Sequence, residues 1–167
     1  MADALANWFI TTLNGVPPLL IIFIISMIPI LELRGGLIAA ALLKINILHA
    51  IPVCIIGNLI PIPFILLLVT PLFKWMKKTK LLKPIVEKFE AKSISNSEKI
   101  KEYEFWGLAI FVGVPLPGTG GWTGAIIAAL LEINFKRAVL SIFMGILMAT
   151  TIMCIITYGI PYVISVI

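Results

Sequence analysis

Leu31-Glu32-Leu33-Arg34-Gly35-Gly36 places a carboxylate and a guanidinium two residues apart, between the apolar runs Pro17 to Leu31 and Leu37 to Leu43. An ionised group in hydrocarbon costs several kcal/mol. The pair must therefore be covered by protein or face water, and it marks a candidate site. On one continuous helix, residues two apart point roughly 200° from each other. A chain broken at Gly35-Gly36 would instead aim both into one cavity, so the stretch predicts a helix break there.

Neither flanking run reaches the length of about 20 residues that crosses a bilayer. Two short apolar arms around a charged Gly-Gly elbow predict a re-entrant hairpin, which a membrane tolerates only where protein or water covers the loop. Beyond Lys44, Asn46 and His49, the run Ala50 to Phe73 is long enough to cross, with kinks expected at Pro52, Pro61, Pro63 and Pro71. Asn58, inside this span, is a candidate cavity-lining polar contact. The pattern then recurs. Phe105 to Val114 and Ala125 to Leu131 are short arms around Pro115-Leu116-Pro117-Gly118-Thr119-Gly120-Gly121-Trp122-Thr123-Gly124, and Ala138 to Ile167 is the second span, with Gly159 and Pro161 placed to break its end.

The bulk numbers agree with a membrane protein. The 167 residues are 60% hydrophobic and 13% charged, with a mean hydropathy of +1.12, more apolar surface than a soluble domain of this length buries. The net charge of +5 does not point to nucleic acid. Nine lysines, from Lys74 to Lys101, lie in one polar segment, and lysines beside membrane spans report orientation, which places this segment in the cytoplasm. Trp75 and Trp106 bracket it, as aromatic side chains do at headgroup level. Cys54 and Cys154 sit in apolar runs and imply neither a disulfide framework nor a metal site. Asp3 is the only charge before the first apolar stretch, so a cleaved signal peptide is not expected.

An internal repeat accounts for the recurrence. Gly36 to Asn46 aligns with Gly124 to Asn134 at an offset of 88, and the same offset places Pro29 on Pro117, Ala50 on Ala138 and Gly57 on Gly145. A hairpin returns to its own side and a span crosses, so each repeat crosses once and the second copy must be inverted. The placement of charge agrees, because the Lys-rich linker and Lys136-Arg137 then share one face, with Lys44 and His49 on the other. The expected fold is an all-α integral membrane protein of two inverted-topology repeats, each a re-entrant helical hairpin plus a transmembrane helix. Its parts are an interfacial helix in 1-15, repeat one in 16-73, a cytoplasmic basic linker in 74-104 and repeat two in 105-167.

The motifs Glu32-Leu33-Arg34-Gly35 and Pro115 to Gly124 resemble those of the small multidrug export protein family, a distant relative of the DedA, or SNARE-associated VTT-domain, membrane proteins. The resemblance covers nearly the whole chain. It implies two re-entrant hairpins, and for the DedA-like group proton-dependent transport of lipid-linked phosphates or lipid movement, with acidic and arginine residues on the hairpins. Glu32 and Arg34 match the first-hairpin charges. The second tip carries Thr119 and Trp122 where an arginine would be expected.

The candidate substrate- and proton-binding residues are Glu32, Arg34, Gly35, Gly36, Pro117, Gly118, Thr119, Gly120, Gly121, Trp122 and Asn58. Glu32 is placed to bind a proton or a cationic substrate, or else to hold the hairpin in a static ion pair. Arg34 is placed to bind an anionic headgroup through its planar fork of donors, or to cap exposed carbonyls. The Pro-Gly tip offers bare backbone groups to a substrate, or lets helices approach closely. Asn46 and Asn134 are read as caps on the short arms, and His49 as an interfacial side chain. No Ser/His, Cys/His, paired-carboxylate or metal-ligand constellation points to an enzyme. The expected function is a multi-pass secondary transporter of a prokaryotic inner membrane, without a cofactor, coupled to H+, moving a small amphipathic or phosphate-bearing molecule among membrane lipids. A lipid scramblase or membrane scaffold is the rival. A homodimer is expected, because one copy offers little protein to shield two irregular hairpins.

Overall fold

The computed structural model describes residues 15–77 and 97–160, and among them every regular element is helical. The expected N-terminal interfacial helix and the 78–96 part of the linker lie outside the described residues. Helix α1 (Pro18–Met27) opens with Pro18 in its first turn, where the ring presets φ and no hydrogen bond is lost. It stops because Pro29 follows: Ile28 is forced to an extended conformation, with φ −77° and ψ 132°.

The chain is therefore broken at Ile28 to Leu31, ahead of the charged pair, and not at Gly35-Gly36. Helix α2 (Glu32–Leu42) runs through both glycines without interruption. Two helix-interior glycines cost about 1 kcal/mol each. They are offset by close packing, since a Cβ on Gly36 would collide with Ser26 Oγ and lie 2.9 Å from Cys54 Sγ.

Asn46 caps the next helix, α3 (Ile47–Leu59), its side chain accepting from Leu48 N at 2.9 Å. Of the kinks expected at four prolines, the break falls at Ile60-Pro61, where α4 (Pro61–Lys77) begins; Pro52 and Pro71 sit inside helices. Ile47–Val69 is apolar over 23 residues, long enough to cross a membrane. Helix α5 (Ser97–Gly113) starts inside the segment read as linker, so the second hairpin's first arm is continuous with it. Helices α6 (Gly121–Leu130) and α7 (Phe135–Cys154) follow, and α7 passes into a π-helical turn, Ile155–Gly159. Phe135–Gly159 is the second apolar stretch of crossing length, at 25 residues.

The two halves repeat one another in detail. Asn134 caps α7 by accepting from Lys136 N, as Asn46 caps α3. Both asparagines thus cap the start of the spans and not the ends of the short arms. Lys44 and Glu132, 88 residues apart, both take positive φ, 54° and 53°. Each sits in a Schellman turn closed by Ile45 N to Ala40 O and by Ile133 N to Ala128 O, both 2.9 Å.

Packing shows where the constant offset fails. Around Gly36 lie Ile22, Ser26 and Cys54; around Gly124 lie Leu108, Val112 and Ile142. Cys54 and Ile142 keep the offset of 88, but Ile22 to Leu108 and Ser26 to Val112 differ by 86. Gly57 and Gly145 give the same answer, resting against the carbonyls of Phe23 and Ala109. The second tip, Val114 to Gly120, carries two more residues than an uninterrupted register allows.

Helix α1 packs on α3 as α5 packs on α7, while α4 packs on α6 and the π turn on α2. The buried core, including Ile22, Leu37, Ile62, Val112 and Ile142, runs through both halves. Outside it, Ile30, Leu48, Phe64 and Leu68 are exposed, an apolar surface that a bilayer covers. This is a membrane protein.

Candidate functional site

The two tips dock on each other through the charged pair. Glu32 begins α2 with φ +49°, a left-handed conformation that costs a residue with a side chain about 1 kcal/mol or more. Because Glu32 precedes the regular part of the helix, the opposed directions expected of residues two apart do not apply. Its carboxylate reaches the start of α6 and accepts from Gly121 N (Oε2, 3.1 Å) and Trp122 N (Oε1, 3.1 Å). These are amides that a helix leaves without internal partners, at the end that favours negative charge.

Arg34 takes the other side of the same tip. Its Nη1 donates to Leu116 O at 2.7 Å, and Nη2 donates to Val114 O at 3.2 Å and to Thr119 Oγ1 at 3.0 Å. These acceptors lie just past the C-terminus of α5, where a cation is favourable. Thr119 Oγ1 also accepts from Leu116 N at 3.2 Å and is within 2.9 Å of both Val114 O and Leu116 O, either of which can take its one proton. Each member of the pair is thus held by the opposite hairpin, and neither bonds the other.

Gly120 makes this docking possible. Its φ of +148° with ψ −173° belongs to a region open in practice only to glycine. A Cβ there would collide with the Glu32 carboxylate, coming within 2.6 Å of Cδ. Gly120 thus packs directly against the carboxylate of Glu32, a residue only 5% exposed.

Beside the docked tips lies a cavity of about 470 Å³. Pro29, Ile30, Leu31, Glu32 and Arg34 line it from the first tip, and Pro117, Gly118, Thr119, Trp122 and Ile126 from the second. Gly118 is exposed, with φ +83°. Trp122 Nε1 is buried without a hydrogen-bond partner, and so is Asn58 Oδ1. Asn58 is 2% exposed and lies against Gly121, about 3.5 Å from where a Cβ would stand.

Of the residues selected from the sequence, Glu32, Arg34, Pro117, Gly118, Thr119, Gly120, Gly121 and Trp122 converge on one place, with Asn58 behind them. Gly35 and Gly36 do not. They face Ile25, Leu31, Ser26 and Cys54 in helix packing. Sequence reasoning offered Arg34 as a cap on exposed carbonyls, the role it fills here at the opposite tip, but read Glu32 only as a proton or cation site or a static ion pair and missed its role as a cap on α6. A signal existed: one tip carries two ions and the other, from Pro115 to Gly121, no charged side chain and much backbone to satisfy, which is a complementary pairing.

Neither a curated protein nor a solved structure matches the chain. A family model described as Putative small multi-drug export protein matches residues 32–152, from the carboxylate of the first tip to near the end of α7. This span is well over half of the 167 residues, and the chain belongs to that family.

Proposed function

We propose that the chain is a proton-coupled secondary transporter of a small amphipathic or phosphate-bearing molecule, with two inverted repeats whose re-entrant tips meet near the bilayer midplane. The observation that carries this reading is the Glu32 carboxylate held between two backbone amides of the opposite tip, beside a cavity. Protonation of Glu32 removes the negative charge that the helix terminus favours and leaves one oxygen a donor facing a donor. The tips then separate, and the cavity opens toward the other side. Alternating access in such architectures is a rocking of one repeat against its partner. Arg34 keeps the second tip's loop folded throughout the cycle.

On this reading H+ is the coupling ion, no cofactor takes part and no bond in the cargo changes. The protein works among lipids of a prokaryotic inner membrane, as a homodimer, with the basic linker in the cytoplasm. The membrane scaffold or scramblase reading draws on one observation, that both charges are engaged as caps on the opposite tip. Proteoliposomes under an imposed pH gradient, assayed with ethidium and with dansylaminoundecanoate as trial cargoes, separate the two. Gradient-driven flux in wild type should disappear in Glu32→Gln. Flux that survives the substitution removes proton coupling through this residue.

A further inference from the structure

We infer that Asn58 is a reserve cap for α6: its side-chain carbonyl takes over the Gly121 amide when Glu32 releases it. The inference rests on the proposed separation of the tips for its place in a cycle, but the exchange of acceptors stands on packing alone.

Asn58 is poorly satisfied where it stands. It is 2% exposed in the last turn of α3, and its Oδ1 is wholly buried without a hydrogen-bond partner. A buried carbonyl left unpaired carries the full desolvation penalty of the group. Packing does not require the amide. The offset of 88 puts Ile146 at the equivalent place in the second span, and that side chain is apolar and 1% exposed. One copy of this position is thus filled by hydrocarbon, while the other keeps a polar group that makes no bond through its oxygen in the docked state.

What the side chain faces supplies the reason. Gly121 begins α6, and a Cβ there would stand 3.5 Å from Asn58 Oδ1 and 3.7 Å from Nδ2. That position is two bonds from the Gly121 nitrogen. It also leans toward the N-terminus of the helix, the direction in which the free amides point. Glu32 fills the space beside Gly120, and Asn58 with Ile62 fills that beside Gly121. The two side chains therefore flank the same helix start.

The Gly121 amide has one proton, which it gives to Glu32 Oε2 at 3.1 Å. Once the carboxylate withdraws, the amide is a buried donor without an acceptor. Three buried side-chain polar atoms lack a partner among the described residues, and Asn58 Oδ1 is the one carbonyl among them. Turned onto the amide, it satisfies both orphans at once, and α6 keeps its first turn while the tips part.

The test is a double-mutant cycle on the full-length protein in detergent, with Glu32→Ala and Asn58→Leu made singly and together. Leucine keeps the branched shape of asparagine and offers no acceptor. With Glu32 present, Asn58→Leu should leave hydrogen exchange at the Gly121 amide, followed by NMR, unchanged. In the Glu32→Ala background the same substitution should speed that exchange about tenfold, the loss of one hydrogen bond. It should also lower the thermal midpoint by about 2–4 °C beyond the sum of the single effects. Should Glu32→Ala fail to fold, Glu32→Gln, which replaces one of the two acceptors by a donor, takes its place in the cycle. Gly121 exchange indifferent to Asn58 in both backgrounds overturns the inference, as do additive thermal midpoints. A non-additive cycle in a protein without gradient-driven flux would sink the transport reading alone.

Discussion

Glu32 and Arg34 are costly residues to keep in a membrane, and each is tolerated because a helix end in the other half needs its charge. The dependence is mutual, which makes Gly120 the most demanding position in the second tip. Gly120→Ala should destabilise the protein by about 3 kcal/mol or more, combining conformational strain with displacement of a buried carboxylate. Gly118, whose φ is +83° but which has no neighbour within 4 Å, is the control: its alanine variant should cost about 1 kcal/mol, from backbone strain alone. Thermal midpoints in detergent measure the difference, and equal losses would mean that contact with Glu32 is irrelevant. Arg34→Lys is expected to be far from conservative. A point charge cannot reach Leu116 O, Val114 O and Thr119 Oγ1 together, so about 1–3 kcal/mol should be lost although the charge is kept.

The helices owe their limits to local rules, some legible in the sequence and some obscured by a competing one. Short arms, two spans and a broken first hairpin follow from run lengths and the cost of charge. The break was misplaced at Gly35-Gly36 because glycine reads as an interruption, whereas Pro29 acts on Ile28 and the glycines admit Ser26 and Cys54. The offset of 88 was legible only downstream of the tips. In the arms before them apolar residues are interchangeable, so a shift to 86 shows only in which side chains meet. The linker reads as helical beyond a loop-like Ser93 to Ser97, in agreement with the start of α5 at Ser97. The continuity of that helix with the arm at Phe105 was hidden because its first turns are charged and those that follow are apolar. The twin caps give a prediction of their own. Asn46→Ala and Asn134→Ala should each cost about 1 kcal/mol, and by similar amounts, because each replaces one side-chain acceptor at the start of a span. A loss confined to one of them, measured by thermal midpoint, would show that the two starts are not equivalent.

In the assembled chain, α4 lies on α6 while the π turn lies on α2, so each span ends against the second arm of the other half. This exchange is what the inverted pair of related units proposed above would produce. The arrangement makes a demand that packing alone does not. If the halves are inverted, equivalent residues at the two span starts lie on opposite sides of the bilayer. Leu48 and Lys136 are such a pair, 88 residues apart, both exposed and each following its capping asparagine by two positions. Single cysteines at these sites, in a Cys54→Ala, Cys154→Ala background, can be probed with an impermeant maleimide on sealed, uniformly oriented vesicles. Lys136→Cys should label only from the face that carries the basic linker, and Leu48→Cys only from the opposite face. Labelling of both from one side would mean that the duplicated units are parallel, and the proposed alternation of access between them would lose its structural basis.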